Sequence, residues 1–78
     1  MAVIQYAWYG YHQQVINVTA AVVKLFNSGQ RSFPASNSYG GDPSIGNGKT
    51  LFILWLDNDN EYCGFTSEGD KTPITIGK

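Results

Sequence analysis

Few side chains of this 78-residue sequence have the chemistry and spacing of a catalytic or metal site. His12 is the only histidine and Cys63 the only cysteine, so an activated nucleophile would require these two residues to meet by folding. A single cysteine also excludes an internal disulfide. We therefore expect no enzymatic activity and no cofactor, with Cys63 acting as a small buried apolar residue of a strand.

One acidic segment imitates a calcium site. Asp57, Asp59, Glu61 and Glu68 have the spacing of the carboxylates in an EF-hand loop. However, Tyr62 stands where the sharp turn of that loop requires glycine, and the flanking residues are typical of strands. The segment is better interpreted as an acidic hairpin turn without a metal.

Two further motifs have structural interpretations. Gly48-Lys49-Thr50 leads into a strand and lacks the residue order and helix context of a phosphate-binding loop. Asn17-Val18-Thr19 matches a glycosylation sequon, but the N-terminus has no signal-peptide features. A helix cap explains that motif better.

Aromatic and amide side chains form the most informative remainder. One group, which includes Trp8 and Tyr11, adjoins Gln13 and Gln14, and a second group lies in a long loop. Sugars present apolar C–H faces and rings of hydroxyls, so their sites combine aromatic walls with a few fixed polar groups. The alternative is that Asp42 only caps its own turn. The residues expected to bind ligand are Trp8, Tyr11, His12, Asn37, Tyr39 and Asp42.

Residues 50–56 predict the central strand, because they are β-branched, aromatic or leucine and carry no charge. Side chains alternate along a strand, so this one has two apolar faces. One face holds Leu51, Ile53 and Trp55, and the other holds Phe52, Leu54 and Leu56. If a helix covers the first face, the second should lie at an interface, which predicts a homo-oligomer and most simply a two-fold dimer.

The remaining elements follow from turn residues and periodicity. Residues 2–9 and 11–18 are predicted as extended segments joined by a turn or a glycine bulge near Gly10 to Gln13. A helix over residues 20–27 should start at Thr19, with Asn17 as the alternative cap, and end at Gly29. The other predicted elements are a short strand (30–33), a long loop (35–48), a hairpin turn (57–60), a strand (61–66) and an edge strand (72–76).

Together these elements predict one domain, residues 1–78, of mostly β (α+β) class: a small antiparallel β-sandwich or sheet with one short α-helix packed on it.

The net charge is −1 and the five basic residues are dispersed, which argues against nucleic acid as a partner. No apolar run approaches the roughly 20 residues that span a bilayer. A free cysteine and the missing signal peptide favour a cytoplasmic location.

Several ordered signatures resemble a known family. They are Trp8-Tyr9-Gly10, Asn17-Val18-Thr19, Gly41-Asp42-Pro43, and Gly46 followed by Lys49, Leu51, Ile53 and Trp55. In this order the chain is similar to the C-terminal domain of a mitochondrial J-domain co-chaperone and to its free-standing bacterial and fungal relatives. The family usually has Asp in place of Asn17 and more polar residues in place of Phe52, Leu54 and Leu56. The resemblance implies a β-rich domain without catalytic residues.

Two functional hypotheses follow. The first is a non-enzymatic carbohydrate-binding protein, a small lectin of the kind that fungi and bacteria make, which acts as a homo-oligomer because weak single sugar sites gain strength when several are linked. The alternative, consistent with the family resemblance, is a protein-interaction module that docks a partner through its apolar strand face.

Overall fold

A computed structural model describes residues 2–41 and 46–77. The Gly41-Asp42-Pro43 turn predicted from the sequence lies largely outside these residues. The elements are β1 (Ala2–Tyr11), β2 (Gln14–Asn17), α1 (Thr19–Asn27), β3 (Ser32–Phe33), a 3₁₀ turn (Asn37–Tyr39), β4 (Thr50–Asp57), β5 (Asn60–Ser67) and β6 (Ile74–Thr75).

The main sheet has four antiparallel strands in the order β2-β1-β4-β5. A tight turn connects the two strands of each of its hairpins, β1–β2 and β4–β5. These turns contain His, Asn and Asp, the non-glycine residues that most often adopt a positive φ. His12 has φ +51° in the turn between β1 and β2, while Asn58 and Asp59 have φ +52° and +67° between β4 and β5. The mostly β fold with one short helix and the acidic hairpin are thereby confirmed.

One face of this sheet, the inner face, carries the core. Leu51 and Ile53 of β4 and Tyr9 of β1 are fully buried there, next to Trp55. Helix α1 contributes Val22, and the remaining cover comes from Phe33, Ile74 and Ile76. The prediction that Leu51, Ile53 and Trp55 face a covered layer is therefore correct.

Helix α1 begins and ends close to the predicted residues, but Thr19 is its first residue and does not cap it, because the N-cap position is occupied by Val18. The Asn17 side chain accepts from the Thr19 N–H at 2.9 Å, while the Thr19 hydroxyl accepts from the Ala7 N–H of β1 at 2.9 Å. At the other end, Gly29 has φ +111° and its N–H bonds to Phe26 O, while the Gln30 N–H bonds to Leu25 O. This pair of bonds is the Schellman motif that glycine permits.

One prediction about strands is wrong. Residues 72–76 do not close the main sheet, because β6 pairs instead with β3 in a separate two-stranded sheet. Ile74 packs over Gly64 on the inner face, where burial of its side chain is favourable. The turn predicted near Gly10 to Gln13 is present, at residues 12–13 between β1 and β2, although β1 continues through Gly10 to Tyr11. The register shift of β1 lies elsewhere, between Ile4 and Tyr6.

Candidate binding surface

The outer face of the main sheet exposes apolar side chains from all four of its strands. Its members follow from the registers, because residues directly opposite each other in neighbouring strands point to the same side. We call this set the open face. It comprises Val3, Tyr6, Trp8, Val15, Phe52, Leu54, Leu56, Cys63 and Phe65.

Side chains of the open face are accessible to solvent. Phe65 is 72% exposed and Tyr6 is 50% exposed, while Phe52, Leu54 and Leu56 are half-buried by their neighbours. The rings of Tyr6 and Trp8 stack at 5.3 Å between centroids, and those of Trp8 and Phe52 meet at 5.6 Å. A continuous apolar surface of this kind on a small domain indicates an interaction site.

The irregularity in β1 explains why the sequence did not predict the whole open face. The register shift between Ile4 and Tyr6 changes the alternation of side chains. Val3, Tyr6 and Trp8 therefore share one side, although the three-residue step from Val3 to Tyr6 breaks simple alternation. Cys63, which we expected to be buried, is instead exposed on this side, because it lies opposite Leu54 of β4.

Three of the six predicted ligand residues come together. Trp8, Tyr11 and His12 line an open depression of about 410 Å³ at the β1–β2 end of the sheet. The rings of Tyr11 and His12 meet edge to face at 4.2 Å. The other lining residues are Gly10, Val15, Gly48, Thr50 and Phe52. This depression offers aromatic edges to a ligand and has few polar side chains.

The other three predicted ligand residues do not join that depression among the described residues. Tyr39 is buried, and its hydroxyl donates to Pro34 O at 2.8 Å. Burial raises the pKa of Tyr39 to about 12. Asn37 accepts a hydrogen bond from the Tyr9 hydroxyl at 2.7 Å on the inner side of the sheet. Asp42 lies outside the described residues.

An ion pair between a buried lysine and an exposed glutamate lies where the long loop enters β4. Lys49 is 4% exposed, and its Nζ is 3.2 Å from Glu68 Oε1. The same carboxylate oxygen accepts from the Lys49 backbone N–H at 2.8 Å, while Lys49 O accepts from the Glu68 N–H at 2.8 Å. Hydrogen bonding to that backbone N–H is the largest cause that lowers the pKa of Glu68. This arrangement fastens the loop after β5 to the start of β4.

The structure brings two predicted roles onto one surface. Trp8 was expected to bind ligand and Phe52 to lie at an oligomer interface, yet their rings are in contact on the open face. A second protein chain that covers the open face would bury the Trp8 ring as well. Ligand binding at the depression and association through the open face would therefore exclude each other at Trp8.

Fold and surface together define a small mostly β domain with one covered and one open sheet face. Comparisons with protein-family models, curated proteins and solved structures find no match to this chain. The resemblance to the co-chaperone domain therefore stays a prediction. Among residues 2–41 and 46–77, no helix combines the length and apolarity that a bilayer crossing requires.

Proposed function

We propose that this domain is a non-enzymatic binding module whose open face associates with a second copy of the chain. The observation that carries the proposal is the continuity of the open face across all four strands of the main sheet. Covering the apolar side chains of one sheet with another sheet stabilises the complex by roughly 25 cal/mol for each Å² of apolar surface removed from water. Two open faces packed together would form a sandwich.

The area of the open face suits a small homodimer. Strands β4 and β5 have eight residues each, and β1 has ten. With the four residues of β2, a rise of about 3.3 Å per residue and a strand spacing of about 4.8 Å give a flat area of roughly 480 Å². Two copies would therefore bury about 950 Å², close to the minimum of about 1,000 Å² for a specific interface.

Charge also favours a second copy as the partner. The registers place one charged residue, Glu61, on the outer side of the described strands, at its margin beside Leu56. A face whose single charge lies at its margin meets its own copy with little repulsion, whereas a strongly charged partner would gain nothing from it. A two-fold axis through the face would then generate a closed dimer.

Two substitutions on one strand test this proposal. Phe65→Lys places a charge on the open face, and Tyr62→Lys places the same charge on the opposite side of β5. Both residues are exposed aromatics, so folding should tolerate either change. We expect Phe65→Lys to yield a folded monomer in analytical ultracentrifugation, while Tyr62→Lys stays dimeric.

Leu54→Lys, at the centre of the open face, should also yield monomer or unfolded protein. A Phe65→Lys variant that remains a dimer, or a wild-type chain that is monomeric at high concentration, would contradict the proposal. Circular dichroism of each variant separates loss of association from loss of folding.

Carbohydrate binding is a second candidate function. The convergence of Trp8, Tyr11 and His12 on one depression supports it, because sugar sites combine aromatic walls with polar groups. A glycan-array screen tests this candidate. Binding to one sugar class that Trp8→Ala abolishes, with the fold intact, would assign the ligand to the depression.

A further inference from the structure

A second cavity lies on the inner side of the main sheet, at the end opposite the β1–β2 turn. Its lining residues are Trp55, Asp57, Tyr62, Thr75 and Gly77, and its volume is about 240 Å³. We call it the inner cleft. Neither Tyr62 nor Asp57 belongs to the open face, so a dimer through that face would leave the inner cleft accessible.

The aromatic wall of the inner cleft is a single platform. The rings of Trp55 and Tyr62 stack at 5.9 Å between centroids with an interplanar angle of 18°. Trp55 is 7% exposed and fixed in the core, whereas Tyr62 is 47% exposed. The core thus holds the Trp55 ring in place, and the Tyr62 ring remains accessible to a ligand.

Polar groups border this platform. The Asp57 carboxylate can accept several hydrogen bonds, and the Thr75 hydroxyl can donate and accept. Gly77 has φ +71°, and a Cβ at that position would lie 4.0 Å from Asp57 Oδ2. Glycine therefore suits the backbone there and leaves space beside the carboxylate.

These groups select among ligand classes. An acidic ligand is disfavoured by Asp57, which carries a negative charge of its own. Quaternary ammonium ions are typically enclosed by several rings in a cage, whereas the two rings here are nearly parallel and form one side. A neutral ring with an apolar C–H face and hydroxyl donors matches both the platform and the carboxylate.

The size of the inner cleft limits the ligand to about one ring. Its 240 Å³ falls below the range of about 300–1,000 Å³ typical of drug-sized ligands. Asp57 and Gly77 also border a larger depression of about 570 Å³ that includes Phe26 and Arg31. An attached second ring would therefore extend into that depression.

We propose that the inner cleft binds one ring of a neutral carbohydrate, which stacks on Tyr62 and donates hydroxyl hydrogen bonds to Asp57. This inference shares its ligand class with the second candidate function but assigns the site to the other side of the sheet. It does not rest on the dimer, so the two proposals can fail separately.

The two tryptophans make the test direct, because each reports on one surface. Trp8 lies on the open face and Trp55 lines the inner cleft, and the Trp8→Phe variant assigns their indole N–H signals. The ¹⁵N-labelled chain would be titrated with methyl glycosides of glucose, galactose, mannose, fucose and N-acetylglucosamine. We expect at least one glycoside to shift the Trp55 indole and the amides of Tyr62 and Gly77, while Trp8 stays unchanged.

Variants of β5 provide matched controls. Tyr62→Ala should weaken binding at least about tenfold through the loss of ring stacking, equivalent to about 1.4 kcal/mol. Tyr62→Phe keeps the platform and should bind nearly as well as the wild type. Phe65→Ala removes an exposed ring from the opposite side of the same strand and should leave sugar binding unchanged.

Three results would overturn the inference. One is a titration in which no glycoside shifts the Trp55 signals. Another is a response confined to Trp8, which would move the sugar to the depression near His12. The third is a shift of the Trp55 signals by tetramethylammonium but by no glycoside, which would make the inner cleft a cation site.

Discussion

Lys49 is a charged residue in the interior of the domain, and its neighbours explain how it is tolerated. An unpaired ammonium group at 4% exposure would be strongly destabilising. Glu68 supplies an opposite charge at 3.2 Å; in addition, the Lys49 backbone N–H donates to the Glu68 carboxylate and the Glu68 N–H donates to Lys49 O. The pair therefore stabilises the start of β4. It could not be predicted from the sequence, because the two residues are 19 positions apart.

The lowered pKa of Glu68 predicts a pH dependence of stability. A carboxylate whose pKa falls below its usual value of 4.5 on folding stabilises the folded state above that value. This contribution is lost as the pH falls through the lower pKa of the folded state. We expect Glu68→Gln to be less stable than the wild type at neutral pH, and the difference to shrink below about pH 4.5.

Urea denaturation at a series of pH values between neutral and acidic would measure this difference. Glu61→Gln removes another exposed carboxylate that lies outside the pair, so it should not reproduce the pH-dependent gap. A gap between wild type and Glu68→Gln that stays constant from neutral to strongly acidic pH would show that the carboxylate charge does not stabilise the fold.

At the scale of elements, the β1–β2 hairpin depends on a close approach of its two strands. Gly10 lies opposite Val15, and a Cβ at Gly10 would lie 2.3 Å from Gln14 O and 2.5 Å from Val15 Cα. Both obstacles are backbone atoms, which cannot move aside as a flexible side chain can. Glycine at this position therefore lets β2 fold tightly against β1 beside the open face.

We expect Gly10→Ala to destabilise the domain by about 3 kcal/mol or more, because the added methyl overpacks the hairpin. At roughly 4–8 °C per kcal/mol for a domain of this size, the melting temperature should fall by more than about 10 °C. Gly48→Ala is the control, since a Cβ there meets nothing within 4 Å, and its effect should stay within about 0.5 kcal/mol. Equal melting temperatures for the two variants would contradict this account.

Sequence reasoning predicted the elements whose signals are local. The apolar run of β4, the Asn58-Asp59 turn and the glycine end of α1 each depend on neighbouring residues, and all three are present. The bulge in β1 and the pairing of β6 with β3 depend on contacts between distant segments, which periodicity does not record. Those two features decide which residues reach the open face and which bury Ile74.

The same distinction applies to the candidate site. Trp8, Tyr11 and His12 are close in sequence and share a depression, as expected for residues flanking one turn. Asn37 and Tyr39 instead form hydrogen bonds with Tyr9 and Pro34, and the Tyr39 ring is buried in the core. The inner cleft was missed since Trp55 and Thr75 belong to different sheets, and only the folded chain brings them together.

At the scale of the whole molecule, the main sheet separates two kinds of surface. The open face is broad, apolar and nearly uncharged, which suits a flat protein surface. The inner cleft is narrow and combines aromatic and polar groups, which suits a small ligand. A dimer through the open face would hold two inner clefts on its outside, and two linked sites bind a multivalent ligand more strongly than one.

Cys63 provides a native reporter of association at this scale. Its thiol is exposed on the open face, opposite Leu54, so a second copy should cover it. Maleimide labelling should slow as the protein concentration rises, by roughly tenfold at about a hundred times the dissociation constant, because only the monomer reacts. In Phe65→Lys the labelling rate should be fast and independent of concentration. If the labelling rate of the wild type is also independent of concentration, a second copy does not cover Cys63, and a dimer through the open face is excluded. If labelling is slow at every concentration in both proteins, the thiol is shielded within the monomer.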